Sequence, residues 1–229
     1  RIDELPPGRS PVTTVAISTA RRAEVADRIR AACGEGRQAY WVCTLIEDSE
    51  QLEAQAAETT HAELERTLQG ISIGLIHGRM KPAEKQKVMQ QFQSGAISVL
   101  VATTVIEVGV DVPNASLMIM ENAERLGLAQ LHQLRGRVGR GSLASSCVLL
   151  YQPPLSAMAR ERLNALRETN DGFEIAEKDL KLRGPGELLG TRQTGRLEFR
   201  IANLTRDAAM LAEVQDVAGT MLRKHAGAC

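Results

Sequence analysis

The stretch Gln133-Leu-Arg-Gly-Arg-Val-Gly-Arg140 carries the clearest chemical signal in this 229-residue chain. On a helix over Leu128–Arg140, Gln133, Arg137 and Arg140 fall at i, i+4 and i+7 and share one face. Leu131, Leu134 and Val138 form an apolar stripe opposite. Arginine offers a rigid fork of donors and never loses its charge, so such a face suits a polyanion ending in a phosphate. Gly136 and Gly139 cost about 1 kcal/mol each in helix stability relative to Ala. Close approach of the backbone to a ligand or a partner domain would account for them. The plainer alternative is that these arginines bind surface carboxylates.

Three further segments could touch phosphate. Val99–Pro113 is an apolar run leading into Thr103 and Thr104, with Gly109 and Asp111 following. In open parallel sheets ligands bind outside the carboxyl ends of the strands. Threonine hydroxyls and N–H groups there suit a phosphodiester, and an Asp can hold a ribose hydroxyl. An ordinary strand-to-helix turn is the alternative. His77-Gly78-Arg79-Met80 sits between an apolar run and a Pro82 helix. Gly78 permits an unusual backbone there, while Arg79 and Lys81 add positive charge. Asp179–Gly195 places Arg183, Arg192 and Gln193 in a Gly-rich loop, by physics alone only a kinked polar segment.

What is missing matters as much. The sequence contains no G-x-x-x-x-G-K-[ST], hence no P-loop phosphate cradle, and no H-E-x-x-H, G-x-S-x-G or EF-hand loop. Residues suited to a terminal phosphate are present without the site that should hold a nucleotide. An arginine finger is commonly supplied across an interface to another P-loop.

The elements that must position these residues follow from periodicity. Six short apolar runs (Val12–Ile17, Ala39–Ile46, Ile71–Ile76, Val99–Ala102, Leu117–Met120 and Cys147–Tyr151) mostly lack alternation, as parallel strands buried on both faces do. Helical patterns lie between most of them. Thr19–Ala32 pairs Val25 with Ile29. Ser49–Leu68 turns Leu52, Ala56, Leu64 and Leu68 inward. Pro82–Ser94 has Pro in its first turn and Gly95 past its end. Alternation of strand and helix predicts a parallel α/β sheet with right-handed crossovers. Beyond Gln152-Pro153-Pro154 the pattern changes. Pro154–Glu168, with Leu155, Met158, Leu163 and Leu166 inward, reads as a helix, as do Phe173–Leu182 and Asp207–Lys224. The one further strand pattern is Leu197–Ile201. Two domains are therefore expected, an α/β domain over 1–152 and a helical appendage over 153–229.

Composition limits the function classes. Lys+Arg and Asp+Glu are 28 each, hydrophobic residues are 43% and aromatics 3%, which excludes a disordered chain and a surface of stacked aromatics reading single-stranded bases. The zero balance is uneven. Residues 45–68 hold seven acids and one base, 69–141 hold eight bases and five acids, and 158–206 hold ten bases and eight acids. Local patches rather than net charge thus govern contact with nucleic acid. The acidic run reads as a solvated helix face. Cys33, Cys43, Cys147 and Cys229 have no metal or redox spacing. Cys43 and Cys147 read as buried thiols and the compartment as a reducing cytoplasm. No apolar stretch approaches the roughly 18 residues of a membrane span. A start at Arg1 rather than Met suggests an excised fragment or a processed chain.

The segments HGRM, VLVATTVIEVGVDVP and QLHQLRGRVGRG, in this order, resemble the second RecA-like domain of superfamily 2 helicases. They are similar to its nucleic-acid-contacting block, motif V and motif VI. DGFEIAEKDLKLRGPGELLGTRQTG resembles the translocation motif shared by the RecG family of branched-DNA helicases and the transcription-repair coupling factor, and the GPGELLGTRQTG wording is closer to the former. The resemblance implies a RecA-like parallel sheet flanked by helices, with a small helical C-terminal appendage. It implies that Arg137 and Arg140 face the γ-phosphate of ATP, with Gln133 near the same site. Gly109 and Asp111 would lie on the nucleotide side of motif V. Thr103 and Thr104, with His77 and Gly78, would lie on the DNA side. Arg162, Arg183 and Gln193 would belong to the translocation motif, with Arg162 able to meet Arg183 or its partners. ATP and Mg²⁺ would be the cofactors, the site being completed by a helicase domain that this sequence lacks. Forks and Holliday junctions would be the DNA partners, the setting bacterial DNA repair and recombination in the cytoplasm, and without the P-loop half the chain would not hydrolyse ATP. Two alternatives stay open: the second motor domain of a coupling translocase, which would also bind RNA polymerase, and a stand-alone, non-catalytic module that binds nucleic acid or a partner.

Overall fold

The structure, a computed structural model, describes residues 11–44, 50–103, 112–141 and 143–183. The six apolar runs become six strands: β1 (Val12–Ser18), β2 (Gln38–Val42), β3 (Ile73–Ile76), β4 (Val99–Ala102), β5 (Ala115–Met120) and β6 (Ser145–Tyr151). They form one sheet in the order β1-β6-β5-β2-β4-β3, with every neighbouring pair parallel. Position in the sheet explains the burial patterns. Every residue of the inner strands β2 and β4 is buried. The edge strands β1 and β3 alternate instead, because one of their faces is only partly covered.

Helices α1 (Arg22–Gly34), α2 (Glu50–Thr67), α3 (Pro82–Gln93), α4 (Leu128–Arg135), α5 (Ala157–Glu168) and α6 (Gly172–Arg183) follow the strands. Successive strand residues point to opposite faces, and β2 shows the resulting layering. Ala39 and Trp41 pack with Val25, Ala26 and Ile29 of α1 and with Ala57, Leu64 and Leu68 from α2 and the residue just past it. Tyr40 points the other way and meets Phe92 of α3 edge-on, with ring centroids 4.9 Å apart. Helices thus cover both faces of a parallel sheet. The fold is the expected α/β RecA-like one.

Several helix phases differ from the sequence reading. In α2 the inward residues include Ala54 and Ala57, while Leu52 is 43% exposed. Helix α5 begins at Ala157 rather than Pro154, because the Ser156 hydroxyl accepts the Ala159 N–H at 3.1 Å and sets the start. Ala159, Leu163 and Leu166 then face inward and Met158 faces out. Helix α3 starts as expected: Pro82 is in its first turn and the Glu84 carboxylate accepts the Lys81 N–H at 3.2 Å. The expected Leu197–Ile201 strand and Asp207–Lys224 helix lie outside the described residues.

The chain divides into two compact units, Arg1–Asp179 and Leu180–Cys229. Helix α5 and the first two turns of α6 therefore belong to the first unit. Within it Cys43 and Cys147 are buried thiols, and burial pushes each up to about 12, so both stay protonated at neutral pH.

The burial pattern separates two leucines. Leu100 on β4 is fully buried. Leu100→Ala is expected to cost about 2–5 kcal/mol of stability, whereas Leu52→Ala on the exposed side of α2 should stay within about 0.5 kcal/mol. Denaturant melts of the two variants check this, and equal losses would contradict the assigned phase of α2.

Candidate functional site

His77 and Thr103 directly follow β3 and β4 at the carboxyl edge of the sheet, and the ends of β2 and β5 are tied together at that edge. The Thr44 hydroxyl donates to the Glu121 and Asn122 carbonyls, and the Glu121 N–H donates to Val42 at 2.9 Å. The Glu121 carboxylate accepts from Arg22 at 2.6 Å and from Thr60 at 3.3 Å. Arg22 also reaches Glu63 at 3.0 Å, with its guanidinium carbon 5.1 Å from the Trp41 ring centroid. One partly buried cluster thus fixes α1, α2 and the end of β5. Just past it Asn122 takes a left-handed conformation, φ 48°, which Asn tolerates better than most residues. A 3-10 turn (Ala123–Arg125) follows and leads into α4.

Helix α4 ends at Arg135, not at Arg140. Gly136 is its cap, and tight turns follow: the Arg137 N–H donates to Leu134 and the Val138 N–H to Arg135. Gly139 has φ 81°, a backbone no helix continues through. Arg137 and Arg140 are therefore presented by a turn past a helix C-terminus, and the shared helical face with Gln133 does not form. Gln133 is exposed on the helix itself. The Arg140 Nε donates to the Gly136 carbonyl at 3.2 Å. The half-buried Arg137 guanidinium has no hydrogen bond or ion pair to any described residue. Val138 is buried, as the apolar stripe requires. Gly141 lies against Pro113 so closely that a Cβ would collide with the Pro113 carbonyl oxygen. That contact joins the end of the 99–113 segment to the end of the arginine turn.

His77 and Gly78 follow β3, and Thr103 follows β4. The Thr103 N–H donates to the Ile76 carbonyl at 3.2 Å, which places these segments side by side. Thr103 is buried with its N–H spent on this bond, so that N–H is not on offer to a phosphodiester as the sequence reading expected. His77 is mostly buried. Its Nε2 stands 3.5 Å from Glu58, and its buried Nδ1 has no hydrogen-bond partner among the described residues. The Met80 N–H closes a turn onto the His77 carbonyl, and Lys85 Nζ donates to the Gly78 carbonyl at 2.8 Å. Arg79 and Lys81 are exposed. Thr104, Gly109, Asp111 and Gln193, and the side chain of Arg183, lie outside the described residues.

Arg162 on α5 spends its guanidinium on the stretch leading into α4, donating to Leu126 and Glu124 carbonyls, both at 2.9 Å. Two of its nitrogens are thereby committed to backbone oxygens, and the expected meeting with Arg183 falls on a side chain outside the described residues. Sequence reasoning passed over a second arginine of the same kind. Arg135, the last residue of α4, is 3% exposed. It donates to the Leu166 and Thr169 carbonyls at the end of α5, at 2.7 and 2.8 Å, and to Nδ1 of His132 at 3.2 Å. Burial lowers its pKa. Its position was the available signal: Leu128, Leu131 and Arg135 fall at i, i+3 and i+7, which puts Arg135 on the apolar stripe.

Residues 22–142 match the family described as the helicase conserved C-terminal domain. Residues 169–228 match that described as ATP-dependent DNA helicase RecG, domain 3, C-terminal. The chain is 70% identical over 218 residues to the ATP-dependent DNA helicase RecG of Escherichia coli (strain K12), covering 95% of this chain and 32% of that protein. It is 43% identical over 230 residues to the protein of the same name in Bacillus subtilis (strain 168), covering 98% and 33%. A solved structure of RecG bound to a three-way DNA junction superposes with a TM-score of 0.70 at 44% identity, covering 91% of this chain and 26% of that one. This chain spans about a third of the length of the curated relatives it matches. A sheet of parallel strands, an arginine turn after α4 and a match over residues 22–142 agree: the chain belongs to the helicase conserved C-terminal domain family.

Proposed function

We propose that this chain is the second motor domain and coupling tail of an ATP-dependent DNA helicase that remodels stalled forks and Holliday junctions. The observation that carries the reading is the turn after α4. It presents a half-buried Arg137 guanidinium with no described partner in a sequence that has no P-loop of its own. A cation held this way suits an anion brought by a facing domain. The kinship with helicases named ATP-dependent, and with a structure on a three-way junction, supports ATP as the anion and branched DNA as the track. A cytoplasmic site of action goes with that reading.

In this assignment Arg137 and Arg140 meet the terminal phosphate of ATP, which supplies the energy of the cycle when bound. Gln133, Gly109 and Asp111 line the same cleft. His77, Gly78 and Thr104 face the DNA backbone, and the buried Thr103 holds its segment beside the end of β3. Mg²⁺ is assigned, with the bound phosphates, to the facing motor domain. Residues 1–152 serve as the motor domain and 153–229 as the coupling element, with Arg162, Arg183 and Gln193 in the latter. The remaining two-thirds of the protein supplies the P-loop and the DNA wedge. Arginines aimed at a transferring phosphoryl group stabilise its developing charge without reorganising.

Three measurements test this. ATP hydrolysis with forked DNA should be absent for the chain alone and appear once the remainder of the full-length protein is added. Turnover by the chain alone would mean that it holds a complete nucleotide site and would end the half-motor reading. In the full-length protein, Arg140→Ala should lower ATP turnover by about 10³-fold or more, the scale of arginine-finger loss, while junction binding in gel shifts is kept. Near-normal turnover would remove Arg140 from the site. Gln193→Ala should leave appreciable ATPase and abolish fork unwinding, and a parallel fall of both would remove it from coupling.

A further inference from the structure

Resting on that reading, we infer that Arg135 is a positioning residue that makes the arginine turn and the α5–α6 elbow move as one body. Its guanidinium is the only charged group so deeply buried among the described residues. All the acceptors that it reaches lie on α4 itself or on the far end of α5. The Leu166 and Thr169 carbonyls belong to the last turn and cap of α5, where carbonyls lack helical partners. A cation at that end also meets the negative pole of the helix.

Two residues beyond Arg135 stands Arg137, the side chain assigned to the phosphate. Three residues beyond Thr169, α6 begins at Gly172. The linkage between them is short. Arg has no acceptor, so its contact with His132 fixes the Nδ1 of that ring as the acceptor. His132 in turn lies against Gly172: a Cβ there would come to 3.2 Å from its Nε2. The chain of contact runs from the arginine turn through Arg135 and His132 to both sides of the elbow. Arg162 fastens the other end of α4 to the middle of α5. With both ends held, a displacement of the turn by a closing phosphate site cannot be absorbed between α4 and α5. It passes to the direction in which α6 leaves.

The test uses the full-length protein and reads base pairs unwound per ATP hydrolysed on junction DNA, alongside DNA-stimulated ATPase and a thermal melt. Arg135→Met should lower the base pairs unwound per ATP by about tenfold while ATPase stays within about threefold, the range of an ordinary coupling term. Arg135→Lys, which can still reach a carbonyl, should recover part of the loss. Gly172→Ala presses on His132 without touching the buried guanidinium, and should uncouple in the same direction but less. If Arg135→Met does not fold, the Lys and Gly172 variants decide. A folded Arg135→Met that unwinds as many base pairs per ATP as the wild type would overturn the inference. A fall of ATPase and unwinding in step across the variants would also overturn it, marking Arg135 as structural only. A wild-type protein that does not unwind junctions with ATP would instead overturn the functional reading itself.

Discussion

A guanidinium cannot be buried without oxygens to receive its donors, and that requirement organises the functional end of this molecule. Leaving a buried charge unpaired costs several kcal/mol (order of magnitude), so a 3% exposed Arg135 demands a fixed set of acceptors. The acceptors it uses are free carbonyls at the end of α5. Two needs are met at once, since those carbonyls have no partners within their own helix. Arg162 repeats the solution in the other direction, reaching from α5 to the carbonyls that precede α4. The α4–α5 pair is thus held by oriented hydrogen bonds as well as by apolar packing. Oriented bonds fix an angle, whereas packed leucines tolerate sliding.

Two arginines two positions apart meet opposite fates, and the reason is where the helix stops. Had α4 continued to Arg140, Arg137 and Arg140 would have shared a face with Gln133. Gly136 caps the helix and Gly139 turns the chain through a left-handed conformation. Arg135 is left on the buried side as the last helical residue, and Arg137 is swung out on a turn. Gly141 then lets that turn close against Pro113 without a side chain in the way. The glycines of this segment, a cost to any helix, are what separate the anchoring arginine from the presented one.

The sheet was legible in the sequence because each strand is a short apolar run bounded by polar or glycine positions, and all six were placed within a few residues. The edges were less so. Nothing local in Val12–Ser18 or Ile73–Ile76 says that one face meets less of the core, since that depends on strand order. Helix phase failed where alanine does the packing: Ala54 and Ala57 carry little hydrophobic signal, and Leu52 took their place in the reading. At the site, residue types pointed to the arginine turn, but helical periodicity was extended through two glycines and hid the stop. The Thr103 N–H looked available because its acceptor, the Ile76 carbonyl, comes from a neighbouring strand 27 positions away. Arg135 carries two opposed signals, a charge that usually stays exposed and a place on the Leu128–Leu131 stripe that argues for burial, and packing against α5 decides for the second.

The state of Arg137 bears on how half of a nucleotide site can exist on its own. A half-buried guanidinium facing water keeps most of its hydration, so presenting it costs the isolated fold little. The same charge gains strongly once a phosphate approaches and water leaves, because the attraction between unit charges scales inversely with the local dielectric. The difference between the two situations is available only on closure, which is where a motor needs it. The Glu121 carboxylate is already paired with Arg22 at 2.6 Å. The anchoring arginines do not compete for a phosphate, because Arg135 is buried with carbonyls at the end of α5 and Arg162 holds the Leu126 and Glu124 carbonyls. Among the described residues Arg137 has no such partner and is available to an incoming phosphate.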